Sequence, residues 1–532
     1  MFELVLDYGD ENYRAHPADA EGNLFVEATN DAPRNRPWPV RRDPFSKYRS
    51  GFEVRTCRLC RRLLSFHRFP EELVTPRYLV RSTELEYEQK AIGSFLTRAT
   101  QSGYTRESEG RYLKKSMPAL ELSYSVSPIE EESFDHYADM KNAEAQNLPE
   151  GIDGTNYRWL DLDGVGISGV LSEQDKGWYY KRNLGQGRFG TTELVARKPS
   201  IGALTGGRQQ FLDVAGDGNL DLVDFEFCQA GFYERATNGA GWEPFRTFRS
   251  MPVIDWDDPN LKFVDVTGDG IADILITEDI AFRWHASNLR AGFGEEHRIP
   301  AAQREEQGPS VVFDDGTQSI YLADMSGDGL SDIVRIRNGE VCYWPNLGYG
   351  RFGRKVTMDN SPWFDLPDTF DQKRIRLADT DGSGTTDILY LGVHGVDVYL
   401  NKSGNGWSAR RTLEGVPTGD LTSISVTDFL GRGTACVVWS SRLPSDSQRR
   451  LCYLDLMHGQ KPHLLNRICN NLGAEIAVEY VSSTEFYLAD EAAGHPWITR
   501  LPFPVHVVKR VVTNDAISRN RFVSRKTYHH GY

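Results

Sequence analysis

One motif written six times constrains this chain more than any other feature. The segments are WLDLDGVGISGVL from Trp159, FLDVAGDGNLDLV from Phe211, FVDVTGDGIADIL from Phe263, LADMSGDGLSDIV from Leu322, LADTDGSGTTDIL from Leu377 and VTDFLGRGTACVV from Val426. Their leading aspartates, Asp161, Asp213, Asp265, Asp324, Asp379 and Asp428, are spaced by 52, 52, 59, 55 and 49 residues. That period is too long for one solenoid coil and suits one four-stranded blade of a propeller. A second signal follows most of the aspartates: NLGQGRFG at Asn183, NGAGW at Asn238, NLRAGFG at Asn288, NLGYGRFG at Asn346 and NKSGNGW at Asn401. Between the two signals, DIVRIRNGEVCYW alternates about Asn338-Gly339, which predicts a hairpin with a type I′ turn. Each repeat therefore predicts a strand, an Asp/Gly loop, a hairpin and a last strand. Six such sheets around an axis bury faces that one alone cannot.

Outside the repeats the texture changes. FELVLDYGD, FEVRTCRLCRRLLSFHRF, RYLVRSTELEYEQ and SFLTRATQSGYTR read as long alternating strands, as do EIAVEYVSST, HVVKRVVTND and RFVSRKTYHH after the repeats. A polar stretch from Glu130 to Asn156 separates the two textures. The expected organisation is an antiparallel β segment over 1–150, a six-bladed propeller over 151–459 and a further β segment over 460–532 that continues beyond the chain end. Length agrees, since 532 residues exceed what one core organises. A net charge of −14 argues against non-specific nucleic-acid binding or binding to an anionic membrane. No run of about 18 apolar residues predicts a membrane-spanning helix. Seven cysteines make no disulfide framework. Cys57 and Cys60, three apart within a strand-like run, would face opposite sides.

The aspartate loops admit two readings. Calcium takes six to eight oxygens from carboxylates and carbonyls in tight loops. The candidate ligands are Asp213, Asp217 and Asp221 in the second repeat, Asp265, Asp269 and Asp273 in the third, and Asp324, Asp328 and Asp332 in the fourth. The fifth offers Asp379, Asp381 and Asp387, with Ser383 in the middle position. The first keeps only Asp161 and Asp163, and the sixth puts Arg432 where a cation would be repelled. Alternatively the carboxylates fold back on backbone N–H groups as Asx turns at a strand corner. Three carboxylates in one turn favour a counter-ion, whose role would be structural.

No catalytic constellation is legible. RSTELEYE, Arg81 to Glu88, has the Arg, Ser-Thr and Glu-x-Glu elements of ADP-ribosyltransferases, but on one strand and not on three that meet. The histidines form no ligand set. The glycines of NLGQGRFG and NLGYGRFG open no helix and cradle no phosphate. The run RTCRLCRR reads as an ion-paired strand face, or as a patch that docks a partner.

The paired signals resemble the FG-GAP repeats of integrin-α-type propellers. The flanks DPFSKYRSGFEVRTCRLCRRLLSFHRFPEEL, YLVRSTELEYEQ, NNLGAEIAVEYVSSTEFYLAD and HPWITRLPFPVHVVKRVV, with KTYHHGY, resemble the B component of bacterial insecticidal toxin complexes, TcB, with its SpvB-like and TcdB middle regions. The resemblance implies an all-β fold: a six-bladed FG-GAP-like propeller inserted between antiparallel Rhs-like shell strands. It implies a non-catalytic scaffold and gatekeeper, secreted within a complex. Its partners would be the C component, which carries the toxic C-terminal region, and the pentameric pore-forming A component. The propeller would close the toxin-enclosing shell and dock on the A component to release the toxin. The family's N-terminal SpvB-like portion and its Rhs half are expected to lie outside this sequence. The blades with degenerate loops, the first and sixth, are expected to form the weak seam of the ring. The alternative is a secreted, calcium-dependent adhesion or carbohydrate-binding propeller, with Trp344, Trp363 and Trp407 supplying an aromatic patch. A hydrolase or lyase on the same repeats is weakest, since no acid/base pair can be placed.

Overall fold

The computed structural model describes residues 1–9, 12–28, 38–73, 77–108, 110–129, 157–174, 177–195, 209–225, 230–236, 241–419, 422–441 and 451–530. The polar stretch from Glu130 to Asn156 and the turn at Asn238 lie outside them.

Alternation along the flanking strands gives one twelve-stranded antiparallel sheet. Its main path runs Phe2–Asp7, Arg62–His67, Tyr78–Gln89, Ser94–Ser108, Leu120–Tyr124, Leu465–Cys469, Ala474–Ser482, His506–Asp515 and Asn520–Arg525. The two flanks therefore share one sheet. They meet where Glu121 pairs Cys469 and Leu122 pairs Ile468. Ser125 locks this crossing: its N–H donates to Leu464 O at 2.8 Å and its hydroxyl to Lys461 O at 2.8 Å. Between Ser125 and Lys461 no strand among the described residues belongs to this sheet.

The excursion holds the six repeats. Blade 1 comprises Tyr157–Leu160, Gly169–Gln174, Gly177–Lys181 and Glu193–Val195. Blade 2 comprises Gln209–Leu212, Asp221–Asp224, Gly231–Tyr233 and Arg246–Thr247; blade 3 comprises Leu261–Val264, Asp273–Thr277, Ala281–His285 and His297–Pro300. Blade 4 comprises Ile320–Ala323, Asp332–Arg337, Glu340–Trp344 and Val356–Thr357; blade 5 comprises Ile375–Ala378, Asp387–Gly392, Gly395–Tyr399 and Arg411–Glu414. Blade 6 has three strands among the described residues, Thr422–Thr427, Cys436–Ser441 and Leu451–Asp455.

The core lies between blades, so each sheet needs two neighbours. Leu171, Trp178 and Leu222 join blades 1 and 2; Val223, Phe232 and Ile274 join blades 2 and 3. Leu275, Ile333 and Trp344 join 3 to 4, Val334, Tyr390 and Trp407 join 4 to 5, and Leu389, Val396 and Val437 join 5 to 6. The ring closes where Val170 of blade 1 packs on Phe429 and Val438 of blade 6. Trp159 and Phe189 of blade 1 sit edge-on and tilted against Phe429, at 5.9 and 5.4 Å between ring centroids.

Three local expectations change. Gly339 turns with φ +81° as expected, but Asn338 stays out of the left-handed region, so the turn is not type I′. Asn338 spends its amide on the chain after blade 4 instead, donating to Asp365 O and accepting from Phe364 N, both at 2.8 Å. The run around Cys57 and Cys60 is not one strand. Val54–Thr56 pairs with Phe45–Lys47 in a separate small sheet, and both cysteines are free in the extended link to Arg62–His67. Within STEFYLAD the chain forms a helix, α1 (Ser483–Ala492), started by Ser482 as N-cap with Glu485 in its first turn.

Candidate functional site

Among the described residues, strand order puts the six Asp/Gly loops and the Asn-turns of blades 1, 3, 4 and 5 at one end, and the hairpins and blade-to-blade links at the other. The loop end carries the chemistry. In each loop the leading aspartate spends both oxygens on backbone N–H groups. Asp324 Oδ1 accepts from Gly327 N at 2.7 Å and Oδ2 from Gly329 N at 2.7 Å. Asp213, Asp265 and Asp379 do the same. Even in the degenerate loops, Asp161 and Asp428 hold Gly166 N and Gly433 N at 2.6 Å.

The last aspartate is a buried strut. Asp332 Oδ2 accepts from Met325 N at 3.0 Å and Oδ1 from Asn346 N at 2.9 Å, tying the loop to the Asn-turn. Asp221, Asp273 and Asp387 repeat both bonds on their own blades. Burial raises their carboxyls: Asp221 is pushed up to about 7, while Asp332 and Asp387 rise well above the ordinary range. Three of the turn asparagines then reach the preceding blade. Asn346 Nδ2 donates to Asp265 O at 3.3 Å and Asn401 Nδ2 to Met325 O at 3.0 Å. Asn183 Nδ2 closes the circle on Phe429 O at 3.0 Å.

The Asx-turn reading thus describes the leading and last aspartates directly. For a cation, one group among the described residues brings three acidic oxygens within 4.8 Å of one another: Asp379, Asp381 and Asp387. Burial, then the charge of Asp381, pushes Asp379 up to about 6. The expected sets on the second, third and fourth loops do not converge in this way. Their second position is Ala215, Thr267 or Ser326, where the fifth loop has Asp381. The donor set of the fifth loop, three hard oxygens with a buried excess of negative charge, is the one that fits calcium. In the sixth, Arg432 pairs with Asp455 at 3.3 Å.

The middle aspartate has another use. Asp328 Oδ1 caps Leu330 N at 3.0 Å, and its Oδ2 accepts the backbone N–H of Tyr48 at 2.7 Å. Tyr48 follows the small strand Phe45–Lys47, so the two-stranded sheet of the flank before the propeller sits on the fourth loop. Blade 5 is held by Asn405, which accepts from Arg55 and donates to Pro44 O, and by Ser403, which donates to Ile92 O. The flank after the propeller covers blades 6 and 1. Thr484 at the start of α1 donates to Gly431 O at 2.5 Å, and Glu491 near its end pairs with Arg182 at 2.9 Å. Arg500 donates to Asp163 O and to Asn219 Oδ1. The seam between blades 6 and 1 is therefore bonded, packed with aromatics and bridged by α1. A cavity of about 1130 Å³ remains beneath α1, lined by Arg182, Gln186, Arg432, Lys461, Glu491 and His506 among others.

Other candidates fall away. Arg81 to Glu88 lie along the strand Tyr78–Gln89, and Glu84 is bonded to Lys114 at 2.5 Å and to Tyr13 at 3.1 Å. Trp344 and Trp407 are fully buried between blades, so of the three tryptophans proposed for an aromatic patch only Trp363 is exposed. Sequence reading missed Tyr48, Arg49 and α1 as parts of the loop end. The α1 cap, Ser482 with Glu485, was a findable signal; the Tyr48 contact had none.

Comparisons with known proteins agree with this architecture. Residues 1–69 match the family model described as Salmonella virulence plasmid 65kDa B protein, SpvB. The SpvB-like portion expected to lie outside the sequence is thus represented within it. Residues 401–532 match the model for the insecticide toxin TcdB middle/N-terminal region. Mono(ADP-ribosyl)transferase SpvB of Salmonella typhimurium is 38% identical over 104 residues, 20% of this chain and 16% of that protein. The Photorhabdus luminescens Tc holotoxin pore matches all of this chain at 28% identity and a TM-score of 0.82. TcdB2-TccC3 without its hypervariable C-terminal region matches 99% of it at 27% identity and a TM-score of 0.70. The chain spans 24% of each of those two solved chains. With an SpvB match at one end, a TcdB match at the other and the propeller-bearing fold of Tc toxin structures throughout, the chain is TcB-like.

Proposed function

We propose that this chain is a non-catalytic scaffold and gatekeeper of a secreted toxin complex. Its sheet forms part of a shell around a toxic polypeptide supplied by a C component, and its propeller closes that shell and docks on a pentameric, pore-forming A component. The observation that carries this reading is the division of the propeller's two ends. Shell elements from both flanks hold the loop end. The opposite end, built from hairpins and blade-to-blade links, exposes Val253 (97 %), Ile280 (73 %), Trp363 (68 %) and Val393 (74 %). Large apolar side chains gathered on one face of a soluble β-structure mark a surface meant to be covered. A lid that binds its contents' shell at one end and a channel at the other needs this arrangement. The acidic chain, net −14, has no footprint for nucleic acid. No helix among the described residues is long and apolar enough to cross a membrane.

Calcium, in this reading, is structural and confined to the fifth loop, where Asp379, Asp381 and Asp387 would hold it. The experiment for the main reading is reconstitution: the chain mixed with the C and A components of its own complex and resolved by size. Co-migration with both supports it; a chain that stays free of both contradicts it.

A further inference from the structure

We propose that the loops of blades 2 and 3 form a docking surface for a second basic hairpin turn of the kind that Tyr48–Gly51, between the paired strands Phe45–Lys47 and Val54–Thr56, presents to blade 4. Three loops carry a middle aspartate: Asp217, Asp269 and Asp328. All three use Oδ1 in the same way, capping Asn219 N, Ile271 N and Leu330 N at 3.0, 2.9 and 3.0 Å. Asp328 then gives Oδ2 to Tyr48 N, and the guanidinium of Arg49 lies over Gly329, 3.0 Å from where a Cβ would stand. On blades 2 and 3 no donor among the described residues meets Oδ2 of Asp217 or Asp269. A Cβ at the matching glycines, Gly218 and Gly270, would meet nothing within 4 Å.

The uncovered arc continues an interface that already exists. Shell elements cover the fourth loop at Gly329, the sixth at Gly433 under Pro504 and His506, and the first at Gly166 under Leu501 and Phe503. Arg500 reaches the edge of the second loop at Asn219 and goes no further. Blades whose loops are covered without an N–H-to-carboxylate bond have lost the middle carboxylate, to Val165 and Arg432. Where the carboxylate is kept and the neighbouring structure is present, on blade 4, it binds the turn that follows a strand. Beside the two open carboxylates stand Leu289 and Tyr349, 39 % and 65 % exposed at the tips of the Asn-turns of blades 3 and 4. Gly348 and Gly350 of the latter turn lie against the third loop, at Thr267 O and Val266 O. The surface thus offers two anionic acceptors flanked by apolar tips, with Arg290 near the first of them, which suits a turn presenting backbone N–H, arginine and an aromatic. Its occupant, resting on the shell proposed above, is a further hairpin turn of that shell.

The probe is a capped peptide copying Pro44–Gly51, PFSKYRSG, added in trans to the full chain. Hydrogen exchange is read at 213–219 and 265–271. The peptide should protect both loops. Asp217→Asn with Asp269→Asn keeps the Oδ1 caps while removing the charge, and should weaken peptide binding by about tenfold or more. A peptide with Lys47 and Arg49 replaced by Glu should not protect. Absence of protection at millimolar peptide, or protection unchanged in the double variant, overturns the proposal.

Discussion

The backbone N–H of Tyr48 donates to the carboxylate of Asp328 at 2.7 Å across 280 residues of sequence. This one bond links the shell layer to the repeat motif of the propeller. Asp328 is buried by that contact, so its removal leaves two N–H groups, of Tyr48 and Leu330, without an acceptor. Asp328→Ala should cost about 1–3 kcal/mol in chemical denaturation and speed exchange of the Tyr48 amide. Exchange at Tyr48 that stays slow would show that the contact does not hold the shell.

The buried last aspartates make the propeller more stable in mild acid. Burial, above all, pushes the Asp221 carboxyl up from its ordinary 3.8 to about 7. The folded state therefore binds the proton more tightly, and unfolding free energy falls as pH rises through the interval from about 4 to 7. Asp221→Asn should flatten that slope while keeping one acceptor oxygen. Denaturation midpoints at pH 5 and pH 8 measure it. An unchanged slope would show that Asp221 is ionised in the fold.

His506 works in the opposite sense. Burial, then the nearby Lys461, lowers it from 6.5 to about 4. Its contribution is present above pH 6.5 and is lost as pH falls toward 4, because the unfolded state takes the proton first. His506 packs over Gly433 of blade 6, so acid should loosen the flank after the propeller before the blades themselves. Hydrogen exchange of 506–515 at pH 7 and pH 5 should show faster opening in acid, and His506→Phe should abolish the difference.

How much of this was legible in the sequence depends on the range of the interaction. The repeats predicted the blades because a blade is a local unit of about fifty residues, and the period, the glycines and the Asn-turns all lie within it. The Asn183–Phe429 bond that closes the ring joins residues 246 apart, yet it follows from applying one repeat rule cyclically. Tyr48 on Asp328 follows from no local rule. The choice between calcium and an Asx turn could not be made from spacing, because the same carboxylates suit both; the Asx-turn bonds become visible only in the direction of the backbone N–H groups. The degenerate loops of the seam are a related case. Val165 and Arg432 read as lost ligands, whereas they accompany loops covered by Phe503 and His506.

For calcium the fifth loop stands apart from the rest. Added calcium at millimolar concentration should raise the melting temperature of the chain, and Asp381→Asn should remove the rise while Asp269→Asn leaves it. A rise that survives Asp381→Asn would place the ion elsewhere.

The bridge formed by α1 predicts a coupling between shell and ring. Glu491→Ala with Thr484→Ala removes its anchors on blades 1 and 6, each worth about 1 kcal/mol or less for the half-exposed pair Arg182–Glu491. The amide of Gln186, bonded across the seam to Leu430 O at 3.0 Å, should then exchange faster than amides at other blade boundaries. Equal exchange everywhere would mean that aromatic packing alone closes the ring.

The measurement that bears most directly on the whole account is the affinity of the chain for the pentameric pore-forming component, with and without the apolar end of the propeller. Trp363→Asp with Val393→Asp changes two exposed side chains that no blade core uses. The account predicts a loss of about a hundredfold or more in affinity with no change in melting temperature. Equal affinity for the variant and the parent chain would contradict it.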